Sequence, residues 1–530
     1  MTTIQLSLWC TFCLVAEMAI TSNSVYAQQP TDGASKTSAL QVPNPLDANQ
    51  SQLTPAKSIL NDQFNPIDLA STLQLAGVQN PEILLARERV EEAVALRQLA
   101  AAQLLPSINV GTNFDNHNGP LQRANGQILE VNRGSLYVGL GANAVGAGTV
   151  NIPGIFWNVN LSQNIYGTLV ARQLVQQREF ADTAIRNEIL LRVTGAYLDL
   201  LRAEGRRAIF IKTREEAREV ARVTANYAKT GQGRQADAER AATELQQRET
   251  DVLQAEGEIL TASARLAQLL SLDPAVRLHA TDGWVVPAPI VPNPVPMSEL
   301  IVIALTLRPE LQERQAAIRT ALLELQAAKV LPFSPNIIVG YSAGTFGGGS
   351  NLASQGIPQP DGSTLTQSRF GNFSSRQDLD AILFWSVRNL GLGNLAMVRF
   401  ADSNVRSNQL REQEVMDRVR TQVATAYSQT HSRFAQIGTG ELAVQSSQKA
   451  FQEDFTRTRN REGLPIEVLD SLRLLGRSRS AYLDAIIDYN RAQFELYVAL
   501  GQPPSTLLSR PIPANLVPAP QPSGRVAPSK

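Results

Sequence analysis

Three carboxylates sit just after glycine-containing breaks in otherwise long helical patterns. Asp237 follows Gly231-Gln232-Gly233, and Glu467 and Asp470 follow Gly463-Leu464-Pro465. Spaced i, i+3, Glu467 and Asp470 share one helix face. They also fall in the first turn, where a carboxylate answers the partial positive charge of a helix N-terminus. On spacing alone, such acids read as caps of the helix they open. Catalysis has no comparable support. His117, His279 and His431 are scattered without an i, i+4 partner, so no metal site is expected. There is no GxSxG, and both cysteines, Cys10 and Cys13, lie near the N-terminus. Gly139-Leu-Gly-Ala-Asn-Ala runs into more glycine instead of a helix, so the setting for cradling a phosphate is missing. No catalytic residue and no cofactor is expected, and the chain reads as a non-enzyme.

The elements that position these acids are long helices. From about 168 to 228 there is no proline, and Ile185, Ile189, Val193, Tyr197 and Leu200 recur at helical spacing. This predicts one helix of about 60 residues, roughly 90 Å long. Gly231 and Gly233 break it, and a second helix returns to about 272, closing a hairpin over 168–272. A second hairpin is predicted over 394–500, with Val415, Val419, Val423 and Tyr427 as its stripe and Gly463-Leu464-Pro465 as its turn. Carboxylate–arginine pairs at helical spacing, such as Glu215/Arg218 and Glu219/Arg222, read as solvated faces.

The two hairpins belong to a longer duplication. Tyr197, Gly233, Asp237 and Pro274 recur 230 positions later as Tyr427, Gly463, Glu467 and Pro504. Asn80-Pro81-Glu82 recurs as Arg308-Pro309-Glu310, and Pro106-Ser-Ile-Asn-Val-Gly as Pro335-Asn-Ile-Ile-Val-Gly. About 210 residues are thus repeated, too many for a solenoid unit. Each repeat reads as short helices, a strand, a loop, a strand and the hairpin. The first covers 64–283, with Asn65-Pro66 opening a short helix, strands near 107–114 and 155–165, and a Gly/Asn-rich loop over 115–153. The second covers 298–504, with strands near 336–343 and 379–389. A five-proline linker, 284–297, joins them.

In the stretch 155–165, Phe156, Asn158 and Asn160 alternate with Ile155, Trp157, Val159 and Leu161. Such alternation suits a barrel strand with lipid outside and water inside. It equally suits a half-buried strand of a soluble sheet. No later segment supplies the roughly 20 apolar residues of a spanning helix, so a membrane crossing would require strands closed into a barrel. Four strands are too few, since about eight are needed, and several copies would have to pool them. Residues 1–27 read as a secretory signal ending Val25-Tyr26-Ala27, 28–63 as a flexible leader and 505–530 as a disordered, proline-rich tail. Lys plus Arg and Asp plus Glu balance at 48 each, leaving no basic surplus for nucleic acid.

The duplicated plan, the NPE and RPE helix starts, the LLPS junction at 104–107, QNIYG at 163–167 and EVLDS at 467–471 together resemble the TolC-type outer-membrane efflux proteins. That resemblance covers roughly 64–504. It implies a mainly α chain with a small β part, assembling as a homotrimer. Four strands per chain would form a 12-stranded barrel in outer-membrane lipid, and four helices per chain a 12-helix periplasmic barrel. The implied partners are a periplasmic adaptor (membrane fusion) protein and an inner-membrane transporter. Implied work is passive export, by efflux or type I secretion, through a pore gated at its periplasmic tip. Asp237, Glu467 and Asp470 then fall at the pore entrance, where three copies would make an acidic ring. Gly231, Gly233, Gly463 and Leu464 fall at the tips that dock the adaptor. Gln232 stands where the family has Leu, and Pro465 is added to the second turn. The resemblance also implies inter-helix links holding the entrance shut, with Asp237 as an acceptor and Arg234 or Arg461 as candidate partners. The alternative reading is a soluble periplasmic coiled-coil scaffold or tether without transport activity.

Overall fold

A computed structural model describes residues 60, 64–142, 152–291, 295–351, 357–358, 364–365 and 373–504. The signal segment, the leader apart from Leu60, and the tail lie outside the described residues. In chain order the first repeat holds β1 (Asn65–Ile67), α1 (Leu69–Gln79), α2 (Pro81–Ala102), β2 (Ser107–Ile108), β3 (Val110–Gln122), β4 (Ile128–Ala142), β5 (Ile152–Pro153), β6 (Ile155–Asn160), α3 (Leu161–Lys229) and α4 (Gln235–Leu269). After β7 (Leu278–Ala280) the second holds α5 (Met297–Leu307), α6 (Pro309–Val330), β8 (Asn336–Ser350), the two-residue β9 (Ile357–Pro358) and β10 (Thr364–Leu365), β11 (Ser374–Phe384), α7 (Leu392–Arg459) and α8 (Pro465–Ala499).

Several boundaries differ from the sequence expectation. Asn65-Pro66 does not open a helix: β1 pairs in parallel with β7, and α1 starts after Asp68, whose carboxylate accepts from Ser71 N. Much of the expected 115–153 loop is a hairpin of two long strands, β3 and β4, turning at Asn125-Gly126. Leu161–Ile165 are helical, because Asn160 caps α3 by accepting from Gln163 N at 3.0 Å. β8 runs on to Ser350, and β11 spans Ser374–Phe384, with Trp385–Asn389 beyond its end.

Seven of the strands make one sheet, while β1 pairs with β7 and β9 with β10 as separate two-stranded pieces. β4 and then β6 pair along one edge of β8, so together they form a single interrupted strand, and β11 pairs along the other edge. β3 flanks β4 and β2 flanks β6. Four antiparallel tracks result: β2/β3, β4/β6, β8, β11. Among the described residues, the first is paired only on its β4/β6 side and the last only on its β8 side. The register sorts the side chains onto two faces of mixed chemistry. One carries Phe114, Leu136, Val138, Val339, Leu379 and Leu383 beside Asn116, Asn118 and Asn132; the other carries Asp115, His117, Arg133, Ser135, Asp378 and Asp380 beside Val131, Tyr137, Phe346 and Ile382. In β6 the apolar side holds Ile155, Trp157 and Val159, opposite Tyr341, Val339 and Ile337.

The helices repeat the same arrangement. α3 and α4 form one antiparallel hairpin, α7 and α8 the other, and they meet along α3 and α8. Nearer the sheet, α2 packs on α3, α3 on α6 and α6 on α7. At 69 residues α3 is roughly 100 Å long. The main core clusters Leu69, Leu73 and Ile83 with Ile189, Val193, Tyr197 and Leu200 of α3, Leu266 of α4, and Ile487 and Phe494 of α8. Asn80 caps α2 by accepting from Glu82 N, and its amide donates to Leu269 O at the end of α4. Arg308 makes no side-chain cap but matches the second of these bonds in the second repeat, donating to Ala499 O at the end of α8. The linker is strapped down: Asn490 of α8 donates to Trp284 O and Val286 O, while Gln493 accepts from Ile290 N and Val291 N.

Candidate functional site

At the far end of the hairpins the two helix turns have the same backbone plan. In the first, Gln232 N and Gly233 N both donate to Tyr227 O at 2.9 Å, and Gly231 takes φ +72°. In the second, Glu462 N and Gly463 N donate to Arg457 O at 2.8 and 3.2 Å, and Arg461 takes φ +68°. These bonds satisfy carbonyls that a helix C-terminus leaves open, and the left-handed residue after the cap makes them possible. Gly233 is needed for a different reason. A Cβ there would approach Tyr227 Cβ to 2.9 Å; at Gly463 the nearest atom, Arg457 Cβ, is 3.1 Å away.

Each predicted acid has a definite position. Asp237 accepts from Arg240 Nη1 at 3.3 Å, one turn along its own helix, and pairs with neither Arg234 nor Arg461. Arg461 instead lies over the Tyr227 ring, 5.6 Å from its centroid. Glu467 caps α8: its carboxylate accepts from Leu464 N at 3.2 Å. Asp470 is exposed one turn further on, three residues before Arg473. Leu464 is itself 61% exposed at the tip.

The links that join the two hairpins use other residues. Tyr227 Oη donates to Arg459 O at 2.6 Å, tying the end of α3 to the end of α7. About nine residues from each turn, Glu244 of α4 is held by two arginines. Its Oε1 accepts from Arg248 at 2.9 and 2.6 Å, and its Oε2 from Arg473 of α8 at 2.9 and 2.7 Å. Only 3% of Glu244 is exposed. Burial alone would raise its carboxyl pKa, but the hydrogen bonds from Arg473 and Arg248 outweigh it and hold the group below the ordinary value. Each carboxylate oxygen takes two N–H donors from one guanidinium, so both links are charge-assisted hydrogen bonds. Beneath them Val468, Leu472 and Leu475 pack on Ala217, Val220, Ala241 and Phe451.

The hairpin contact stays ionic higher up. Arg479 pairs with Glu216 at 2.8 Å, Arg206 with Asp484 at 2.9 Å, Arg202 with Asp488, and Arg491 with Asp199. Glu244, Arg473 and this ladder were not singled out from sequence. Each lies among dozens of charged residues at helical spacing, and only the register between α3, α4 and α8 distinguishes them. Arg218 illustrates the point, pairing across the hairpin with Glu249 and not with Glu215. Glu219 and Arg222 do pair within one exposed turn.

Among the described residues no helix is long and apolar enough to cross a membrane. No family model and no curated protein sequence matches the chain. Solved structures do. The outer-membrane channel OprN is 18% identical, with a TM-score of 0.64 over 82% of this chain and 89% of that one. CusC, whose study concerns transmembrane channel formation, is 18% identical, with a TM-score of 0.64 over 86% and 98%. The Campylobacter jejuni CmeC outer-membrane channel is 14% identical, with a TM-score of 0.65 over 87% and 94%. These likenesses span both repeats, sheet and hairpins together. The chain has the fold of the TolC-type outer-membrane efflux channels.

Proposed function

We propose that this protein is the outer-membrane duct of a tripartite export system. Three copies would close a 12-stranded barrel in lipid and a 12-helix barrel in the periplasm. The observation that carries the reading is the four-track sheet, paired on only one side at each outer track, with exposed apolar side chains such as Phe114, Val138 and Leu379 on one face. Strand edges left open in hydrocarbon would strand main-chain polar groups at several kcal/mol each. Pairing β11 of one copy with β2/β3 of the next satisfies them and keeps the ladder antiparallel. A soluble scaffold would leave both the edges and these exposed apolar side chains unexplained.

The two turns are the periplasmic entrance in this reading. A periplasmic adaptor docks on the tips at Gly231, Gly233, Gly463 and Leu464, and an inner-membrane transporter supplies the energy. The duct itself does no chemistry. Asp237, Glu467 and Asp470 give the entrance its negative charge, and Glu467 also caps α8. Opening separates the tips, which requires breaking Tyr227–Arg459 and Glu244–Arg473.

The test is single-channel conductance of the purified protein in a planar bilayer, with outer-membrane fractionation and heat-sensitive trimer migration alongside. Discrete, cation-selective channels are expected, with selectivity reduced in Glu467→Ala/Asp470→Ala. Folded protein that fractionates as soluble and never conducts would overturn the duct in favour of the scaffold.

A further inference from the structure

The repeat allows the contact between copies to be read from the contact inside one copy. At every level the chain ends in a first-repeat element on one side and a second-repeat element on the other. In the sheet these are β2/β3 and β11, beside it α2 and α7, and towards the tips α4 and α7. Internally, β4/β6 meets β8, α3 meets α6, and α3 meets α8. Shifting these internal contacts by one repeat gives β11 against β2/β3, α7 against α2, and α7 against α4. Those are the pairs a closed head-to-tail ring must form.

The shift is specific enough to name residues. At the junction of sheet and helices, Ser162 N donates to Ser334 Oγ at 2.7 Å, and Leu161 N to Pro335 O at 3.3 Å. Both serines are buried, at 4% and 5% exposure. The helix offset of 230 carries Ser162 to Leu392, and the strand offset of 229 carries Ser334 to Leu105. Asn164 and Asn394 correspond at that same helix offset, so the register holds to the helix start. A buried polar pair thus becomes a pair of leucines, 72% and 69% exposed within one chain. Leu390, which replaces the capping Asn160, is 98% exposed and held at φ +56°. Both partners changed from polar to apolar, which is what a contact between them requires.

The ionic ladder loses its charge pairing while staying polar. Arg202–Asp488 corresponds to Ser432 and Glu258, and Arg206–Asp484 to Gln436 and Gln254. We infer that Leu392 of one copy packs on Leu105 of the next, an apolar clasp at the barrel–helix junction, while the contact inside each copy is polar and ionic. The clasp rests on the ring-forming reading above.

Oxidative cross-linking of Leu105→Cys/Leu392→Cys tests it, with Ser162→Cys/Ser334→Cys as the internal counterpart. Covalent dimers and trimers on denaturing gels are expected for the first pair only; the second should close within one chain. A further pair of variants guards against misfolding. Leu392→Glu should lower the temperature at which trimers dissociate, and Leu105→Lys in the same chain should restore most of that loss. Trimers that form normally, fail to cross-link, and carry a 392 thiol labelled by a lipid-partitioned maleimide would overturn the clasp and leave the duct standing. Absence of trimers in the unmodified protein would overturn both.

Discussion

The two helix turns at the tip are built on one backbone plan but stabilised in opposite ways. In the first, the left-handed position is Gly231, where no Cβ opposes the conformation. In the second it is Arg461, for which that conformation costs about 1–2 kcal/mol. What Arg461 gains in return is a place over the Tyr227 ring, across the gap between hairpins. The link residue Glu244 is equally one-sided, since its counterpart in the second hairpin is Leu474, 54% exposed. Duplication supplied two equal turns, and the links between the hairpins come from residues that broke the equality.

Removing Glu244 should separate the two halves most. Glu244→Ala leaves Arg248 and Arg473 facing a buried gap, with an expected loss of about 2 kcal/mol in thermal unfolding and more frequent channel opening. Arg473→Ala should lose less, under about 1 kcal/mol, because Arg473 is half exposed and Arg248 still neutralises the acid. Leu474→Ala, the matching position, should leave gating unchanged. If it acts as strongly as Glu244→Ala, the contrast between the hairpins is wrong.

Backbone changes at the turns come next. Gly231→Ala forces a side chain into the left-handed region and should cost about 1 kcal/mol. Arg461→Gly relieves that strain but gives up the stacking, so its net effect should be within about 0.5 kcal/mol of zero. A large stabilisation would mean the stacking is not formed; a large loss, that it outweighs the strain. Gly233→Ala should be worse tolerated than Gly463→Ala, following the closer approach at Tyr227.

The pH dependence is the smallest effect expected. Glu244 has its pKa lowered in the folded protein. Its stabilisation is therefore complete above the ordinary carboxylate value of about 4.3 and fades only as pH falls below it. Wild type and Glu244→Gln should differ by a constant amount from pH 5 to 8. A gap that narrows within that window would indicate a second titrating group in the link.

Much of the helical part was legible because its signals are local. Asn80-Pro81 and Arg308-Pro309 mark helix starts directly, the proline in each filling a position that needs no N–H. Long proline-free runs ending at Gly231 and near Gly463 mark the hairpins. The strands were under-read. One face of the sheet carries Asn113, Asp115, His117 and Gly119, so apolar alternation is diluted and 115–142 looked like loop. Asn125-Gly126 was the missed signal, since that dipeptide favours a tight hairpin. Tip links were beyond sequence reasoning for another reason: Glu244 and Arg473 lie 229 residues apart, and nothing local sets their register.

The one-sided pairing of the outer strand tracks bears on how the protein comes to exist. A lone copy, once folded, presents two rows of main-chain donors and acceptors beside exposed apolar side chains such as Phe114 and Leu379. Such a species is a template for indiscriminate strand addition. If copies pair as proposed, sheet formation is favoured where other copies are present, and its midpoint should rise with protein concentration. The helical hairpins depend on it less, because they already bury a core within the chain even though α7 would also meet α2 and α4 of the next copy. Synthesis would thus yield a rod first and a wall only on encounter, so dilution should dissolve the wall before the rod.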